Sequence, residues 1–215
     1  MAFDKTRFGG VVAPIVNPCG EDDSLDRGAL EANLTRLLAT DVAGLYINGG
    51  TGDAANLTQD ERLETAALLV PRLLAAGKLA IVHVGQTNQR QAVELARQAA
   101  ALGAHAVASI PPKKPWPQIV EYYKALAAAG APVIVYYIPG VTGMTAGMPE
   151  LRMLLDIPGV AGIKMSDWNI FLLRSVVLEY PEKVVYSGFD EMLVPGLLYG
   201  ADGCIGTWAN LLPDL

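Results

Sequence analysis

Short runs rich in Val, Ile and Gly recur along the chain: Gly10–Val16, Gly44–Gly50, Leu79–Gly85, Ala106–Pro112, Val133–Pro139, Val160–Met165, Val184–Asp190 and Gly203–Ala209. Each is nearly continuous in apolar character, the pattern of parallel strands covered on both faces. Between them the spacing changes to that of helices. Leu30, Leu34, Leu37 and Leu38 recur at helical intervals, and Thr58-Gln59-Asp60-Glu61 reads as a capping box. Asn88-Gln89-Arg90-Gln91 opens another helix in the same style, and Pro149 suits a first turn. Trp116–Ala129, Asn169–Tyr180 and Glu191–Tyr199 supply the remaining helices. Strands alternating with helices predict right-handed crossovers and a parallel sheet. Eight such units predict an α/β fold, a (β/α)8 TIM barrel. An open doubly wound sheet would need a glycine-rich phosphate loop after the first strand, and Asn17-Pro18-Cys19-Gly20 is not one. The pattern reaches Leu215 without a helix after the eighth strand. The expectation is therefore one barrel domain over residues 1–215, lacking the eighth helix and a C-terminal helical region.

Composition narrows the function classes. With 52% apolar and 18% charged residues, the chain has material for a large core and is no disordered segment. A net charge of −6 argues against nucleic acid as a partner. No apolar run reaches the length of a membrane span, so no membrane association is expected. Met1-Ala2-Phe3-Asp4-Lys5 lacks a signal-peptide stretch. Cys19 and Cys204 lie far apart and read as reduced thiols, which fits a cytoplasmic protein. Neither His83 nor His105 has a second ligand at useful spacing, so no metal site is expected. His83 reads as a hydrogen-bonded core histidine.

In barrels of this kind chemistry sits at the C-terminal strand ends. Those ends carry Gly49-Gly50-Thr51-Gly52-Asp53, Tyr136-Tyr137-Ile138-Pro139, Ile163-Lys164-Met165-Ser166, Gly188-Phe189-Asp190-Glu191 and Ile205-Gly206-Thr207. Lys164 stands inside an apolar strand and is expected to point into the barrel. Burial disfavours the ammonium, and a neutral amine can attack a ketone to form an imine. A lysine reaching solvent from the strand edge, or one paired to a core carboxylate, is the alternative. Tyr136 is placed for proton transfer or is a packed core tyrosine. Gly49–Gly52 forms either a nest of amides for a carboxylate or a plain turn. Asp190-Glu191 either grips substrate hydroxyls or is a charge cluster at a helix start.

Together these segments, from Phe8 to Asn210, resemble the pyruvate-dependent class I aldolase family of N-acetylneuraminate lyase and dihydrodipicolinate synthase. The marks are the glycine–threonine loop, Tyr-x-Ile-Pro at 136–139 and Gly-Ile-Lys at 162–164. The resemblance implies that Lys164 forms the imine, that Tyr136 transfers the proton, and that Thr51 with the Gly50 amide binds the keto-acid carboxylate. Tyr137 falls where many relatives have asparagine. The segments Gly188-Phe189-Asp190-Glu191 and Gly200–Thr207 look closer to the N-acetylneuraminate lyase branch. There Gly188, Asp190, Glu191, Gly206 and Thr207 would line the substrate, with Ser166 matching a hydroxyl position two past the lysine. Val141 replaces the carboxylate-binding arginine of dihydrodipicolinate synthases, which disfavours that role. Gly50 replaces a proton-relaying serine or threonine, and Lys114 falls where relatives carry the next tyrosine of the relay. The expected function is a lyase cleaving a polyhydroxylated 2-keto acid to pyruvate and an aldehyde. It would use no cofactor beyond the lysine Schiff base. A 2-keto-3-deoxy-sugar-acid dehydratase, a condensing synthase or a non-catalytic keto-acid-binding paralogue are the alternatives. The resemblance also implies a homotetramer.

Overall fold

The computed structural model describes residues 3–213. Met1 and Ala2 of the N-terminal stretch, and Asp214 and Leu215 at the end of the expected domain, lie outside the described residues. Eight parallel strands close into a barrel in chain order. They are β1 (Gly10–Pro14), β2 (Gly44–Ile47), β3 (Leu79–His83), β4 (Ala106–Ser109), β5 (Val133–Tyr137), β6 (Val160–Met165), β7 (Val184–Ser187) and β8 (Gly203–Cys204). Every strand begins where the apolar pattern places it, and most end a few residues earlier. Helices α1 (Arg27–Leu38), α2 (Gln59–Ala75), α3 (Gln89–Ala101) and α4 (Trp116–Ala127) return the chain between the first five strands. A short α5 (Pro139–Thr142) precedes α6 (Met148–Leu155), and α7 (Ile170–Glu179) and α8 (Leu193–Leu198) complete the crossovers. A 3-10 turn, Thr207–Asn210, follows β8.

Side-chain chemistry sets the helix starts. Asp26 accepts from the Ala29 amide at 2.9 Å, and Asn169 from that of Leu172 at 3.0 Å. Thr58 and Glu61 form the reciprocal box expected from the sequence, and Glu61 also accepts from the Leu25 amide at 3.0 Å. Asn88 makes only the forward half of such a cap, to the Arg90 amide at 2.9 Å. Each such cap is worth about 1 kcal/mol.

The core has two concentric parts. The larger lies between strands and helices, where Leu30, Leu34, Leu69, Leu73, Ile119 and Leu151 meet the outward residues of the sheet. The smaller fills the barrel with Phe8, Val12, Tyr46, Ile81, Ile134, Tyr136, Val184, Tyr186 and Ile205 among others. Phe8 closes the N-terminal end, its carbonyl accepting from the Tyr186 hydroxyl at 2.5 Å. A register shift interrupts the β5–β6 ladder. Val133 pairs with Val160, but Ile134 pairs with Gly162, so Ala161 is an extra residue, as in a β-bulge. Beyond it Tyr136 pairs with Lys164, and Lys164 with Tyr186 on β7. Paired residues of parallel strands share a face, so Lys164 faces the barrel interior with both tyrosines.

Candidate active site

Lys164 is only 5% exposed. Its Nζ lies 4.1 Å from the Tyr136 ring centroid and 5.0 Å from that of Tyr46. Loss of water pushes its pKa below the ordinary lysine value, and the Tyr136 phenol, and more weakly Asp190, pull partly against that shift. An amine held in this way keeps a larger neutral fraction near neutral pH than a surface lysine does. Tyr136 is buried, and its hydroxyl accepts from Ser166 Oγ at 3.3 Å. Tyr137 faces the outer layer, with its hydroxyl between the amide and carbonyl of Ala146. Gly188 packs directly on this group: a Cβ there would stand 2.2 Å from Ser166 Oγ and 3.0 Å from Lys164 Cε.

The loops after β2 and β8 meet at a hydroxyl pair, Thr51 Oγ1 and Thr207 Oγ1, 2.9 Å apart. Gly50 borders this turn with nothing near where a Cβ would be. The turn is held from below. Asn48 adopts a left-handed φ of 58° and donates to the Arg62 carbonyl at 2.9 Å, while Asn17 donates to the Gly52 carbonyl at 2.7 Å. Asn tolerates that conformation better than most residues, which is why β2 stops at Ile47.

Asp190 and Glu191 diverge. Asp190 accepts from the amides of Thr207 at 2.9 Å and Trp208 at 3.2 Å, so both its oxygens hold the 3-10 turn after β8. Gly206 allows this approach, since any Cβ there would collide with the carboxylate. Glu191 is exposed and borders a cavity of about 360 Å³ together with Asp190, Gly206 and Trp208. The structure thus brings Lys164, Tyr136, Ser166 and Gly188 into one cluster and joins Thr51 to Thr207. Through backbone amides it ties Asp190 to that second group, and it leaves Glu191 at the rim.

Several residues at the mouth escaped the sequence reading. Tyr46 is fully buried beneath Lys164, with its ring 6.3 Å from that of Tyr136, edge to face. His83 was placed in the core, correctly, but it also borders the site. Its ring lies 6.4 Å from that of Tyr136, and its Nε2 accepts from the Ile110 amide at 3.2 Å. Burial, then the cations Arg62 and Lys164, push its pKa down to about 3. Arg62 crosses from α2 to donate to the His83 carbonyl at 2.8 Å and the Gly85 carbonyl at 3.0 Å. Counting alternate residues along β2 and β3 would have put Tyr46 and His83 on the lysine's face, but nothing in the sequence marks Arg62 as buried. Among the described residues, no group of three or more His, Cys, Asp or Glu side chains is arranged to hold a metal ion. No helix there is long and apolar enough to cross a membrane.

Comparison with known proteins agrees with this arrangement of strands. The Dihydrodipicolinate synthetase family profile matches residues 7–215. The N-acetylneuraminate lyase of Rhizobium meliloti (strain 1021) is 35% identical over 212 residues, spanning 96% of this chain and 70% of that protein. The crystal structure of CdNal from Clostridium difficile, solved in complex with mannosamine, superposes with a TM-score of 0.91 at 26% identity, covering 94% of this chain and 71% of that one. A prophage protein of the dihydrodipicolinic acid synthase family from E. coli K12, solved in complex with pyruvate, gives 0.90 at 27% identity, covering 96% and 72%. The chain belongs to the dihydrodipicolinate synthetase family, as a lyase of the class I aldolase type.

Proposed function

We propose that the protein cleaves a polyhydroxylated 2-keto acid to pyruvate and an aldehyde through an imine on Lys164. One observation carries the reading: a lysine nearly stripped of water faces a tyrosine whose hydroxyl is hydrogen-bonded, inside a barrel filled mainly by apolar and aromatic side chains. The neutral amine of Lys164 adds to the C2 ketone, and Tyr136 gives its phenolic proton to the departing carbinolamine hydroxyl, which leaves as water; a protonated imine then faces the Tyr136 phenolate. That phenolate takes the proton of the C4 hydroxyl. The C3–C4 bond breaks, its electrons pass to the iminium nitrogen as an enamine, and the aldehyde departs. Protonation at C3 and hydrolysis then free pyruvate and regenerate the amine. Thr51, with the Gly50 amide, binds the keto-acid carboxylate. Ser166 holds the Tyr136 hydroxyl, Gly188 leaves room for the imine, and Glu191, Gly206 and Thr207 meet the hydroxylated tail. Asp190 acts through the amides of Thr207 and Trp208. The N-acetylneuraminate lyases among its relatives support a sugar-derived keto acid as substrate.

A dehydratase using the same imine is the second reading. It is favoured by Gly50, which puts open space where a hydroxyl would relay a proton to the tyrosine. The iminium instead loses a C3 proton to the Tyr136 phenolate, and the resulting enamine, its C3–C4 bond intact, expels the C4 hydroxyl as water with the proton returned by Tyr136. The test is incubation with pyruvate, reduction with borohydride and peptide mass analysis. A single adduct on Lys164, absent in Lys164→Ala, is expected. An unmodified Lys164 on folded protein sinks both readings. Tyr136→Phe should keep the adduct and lose about 10²–10⁴-fold in turnover. Product analysis with keto-deoxy-sugar acids separates aldehyde release from loss of water.

A further inference from the structure

Lys164 Nζ stands over two ring faces, 4.1 Å from the centroid of Tyr136 and 5.0 Å from that of Tyr46. The two rings meet at 87°, so they form two walls of one corner around the amine. The imine mechanism uses Tyr136 and gives Tyr46 no part. Yet Tyr46 is fully buried, and Gly49 packs on it so closely that a Cβ there would stand 2.6 Å from Tyr46 Cε1. The Tyr46 hydroxyl, by contrast, finds no hydrogen-bond partner, which costs stability in a buried site. What the site holds in place is the ring.

Positive charge on Lys164 has little else to answer it. Among the described residues no carboxylate forms an ion pair with it. Asp190 commits both oxygens to the amides of Thr207 and Trp208. His83, from β3, is neutral, and the Arg62 guanidinium behind it adds further positive charge. Tyr186, from β7, donates to the Phe8 carbonyl, and burial keeps its phenol protonated. Burial also pushes the Cys204 thiol up to about 11. A buried cation in such surroundings is costly, and the negative face of an aromatic ring offsets part of that cost.

We propose that the Tyr46 ring, together with that of Tyr136, stabilises positive charge on the Lys164 nitrogen and so favours the protonated imine over neutral amine and free ketone. The inference rests on the imine reading. Amine, ketone and one proton combine to a cation and water, whereas the neutral amine carries no charge for the ring face to attract. The contact therefore strengthens as the imine forms, which is what lets it assist the reaction. The same ring also favours the resting ammonium. Its effect on imine occupancy thus shows only where the amine is neutral beforehand.

The experiment measures imine occupancy by intact mass after cyanoborohydride reduction, over a series of pyruvate concentrations on both sides of the Lys164 titration midpoint. That midpoint is read separately, without keto acid, from the pH dependence of Lys164 acetylation by acetic anhydride. Tyr46→Phe, which keeps the ring and removes the unpartnered hydroxyl, should match wild type within about twofold. Tyr46→Leu should lower the midpoint by roughly one pH unit, and above it should need roughly tenfold more pyruvate for half occupancy, the fold-change of a desolvated cation–π contact. Below the midpoint the two proteins should converge, since ammonium and iminium lose the contact alike. A ring that only fills space would admit water when removed and move the midpoint upward. That outcome, an unmoved midpoint, or a loss in Tyr46→Phe as large as that in Tyr46→Leu overturns the proposal. If Tyr46→Leu does not fold, a ring-fluorinated phenylalanine in place of Tyr46 keeps the shape and drains charge from the ring face, and the same downward shift decides. If wild type forms no adduct on Lys164, the imine reading fails by itself, and the acetylation midpoint still decides whether Tyr46 stabilises the cation.

Discussion

Gly188 shows how tightly single residues constrain this site. An added methyl would overlap Ser166 Oγ and press on Lys164 Cε. Gly188→Ala is therefore expected to slow imine trapping by at least about tenfold and to cost roughly 1–3 kcal/mol in urea unfolding, the usual penalty of overpacking. Gly140→Ala, where nothing lies near the new atom, serves as the control and should change neither. At this scale the sequence was readable where residue type is unusual for its surroundings. A lysine within Val160–Met165 stands out, and so does Tyr136 once the facing lysine is known. Tyr46 did not stand out, because an aromatic residue within an apolar strand looks the same facing in or out. Arg62 was hidden for a different reason. It sits in a polar first turn of α2, and it is buried where it reaches the His83 and Gly85 carbonyls at the end of β3, a contact no local pattern announces.

The elements themselves were largely legible. Strand starts follow the glycines and the onset of β-branched runs, and helix starts follow capping side chains with a local physical cause. Strand ends were not legible, because apolar residues continue past the last ladder bond into the mouth. β8 is the extreme: its ladder covers Gly203 and Cys204 alone, and the chain then turns at Thr207. What stops it is Asp190, a carboxylate from the preceding crossover that accepts two amides of the turn. Asp190→Ala should lower stability by about 1–2 kcal/mol, as loss of a good cap does. It should also loosen the Thr51–Thr207 contact, raising KM for the keto acid. Glu191→Ala removes a rim carboxylate and should leave the denaturation midpoint in place while weakening binding of the hydroxylated tail. If both variants lose only substrate affinity, Asp190 is a substrate ligand rather than a brace.

For the whole molecule, the two histidines set the response to mild acid. His83 titrates near 3 when folded and near its ordinary 6.5 when unfolded, chiefly because it is buried, and His105 is also lowered, first by burial and then by Arg7. Between pH 6.5 and about 5 the unfolded chain thus takes up protons that the native state refuses. Stability should therefore fall as the pH drops through this window, by up to about 1.4 kcal/mol per unit for a fully shifted group. The carboxylates with lowered pKa values, such as the partly exposed Glu61 and Glu64, act only below this window. Urea midpoints measured from pH 8 to 5 should show this slope, and His83→Gln should flatten much of it; an unchanged slope would mean that His83 is not the buried proton acceptor. The closed sheet also explains why the architecture was readable when the mouth was not. Eight repeated units determine a barrel by counting, whereas contacts across the mouth join residues more than 150 positions apart, such as Thr51 and Thr207.

The extra residue at Ala161 makes the orientation of Lys164 a matter of odd and even. Counted in twos from Val160, which faces the helices, position 164 would also face the helices. The bulge changes the parity once, and everything after it on β6 reverses sides. The Lys164 amine therefore looks inward because of a miscount in the ladder, maintained by the cost of seating a lysine among the leucines of the outer layer. Length changes in β6 should then behave as all-or-none. Removing Ala161 restores a regular ladder with Lys164 still inward, while removing Ile163 sends the lysine to the wrong side.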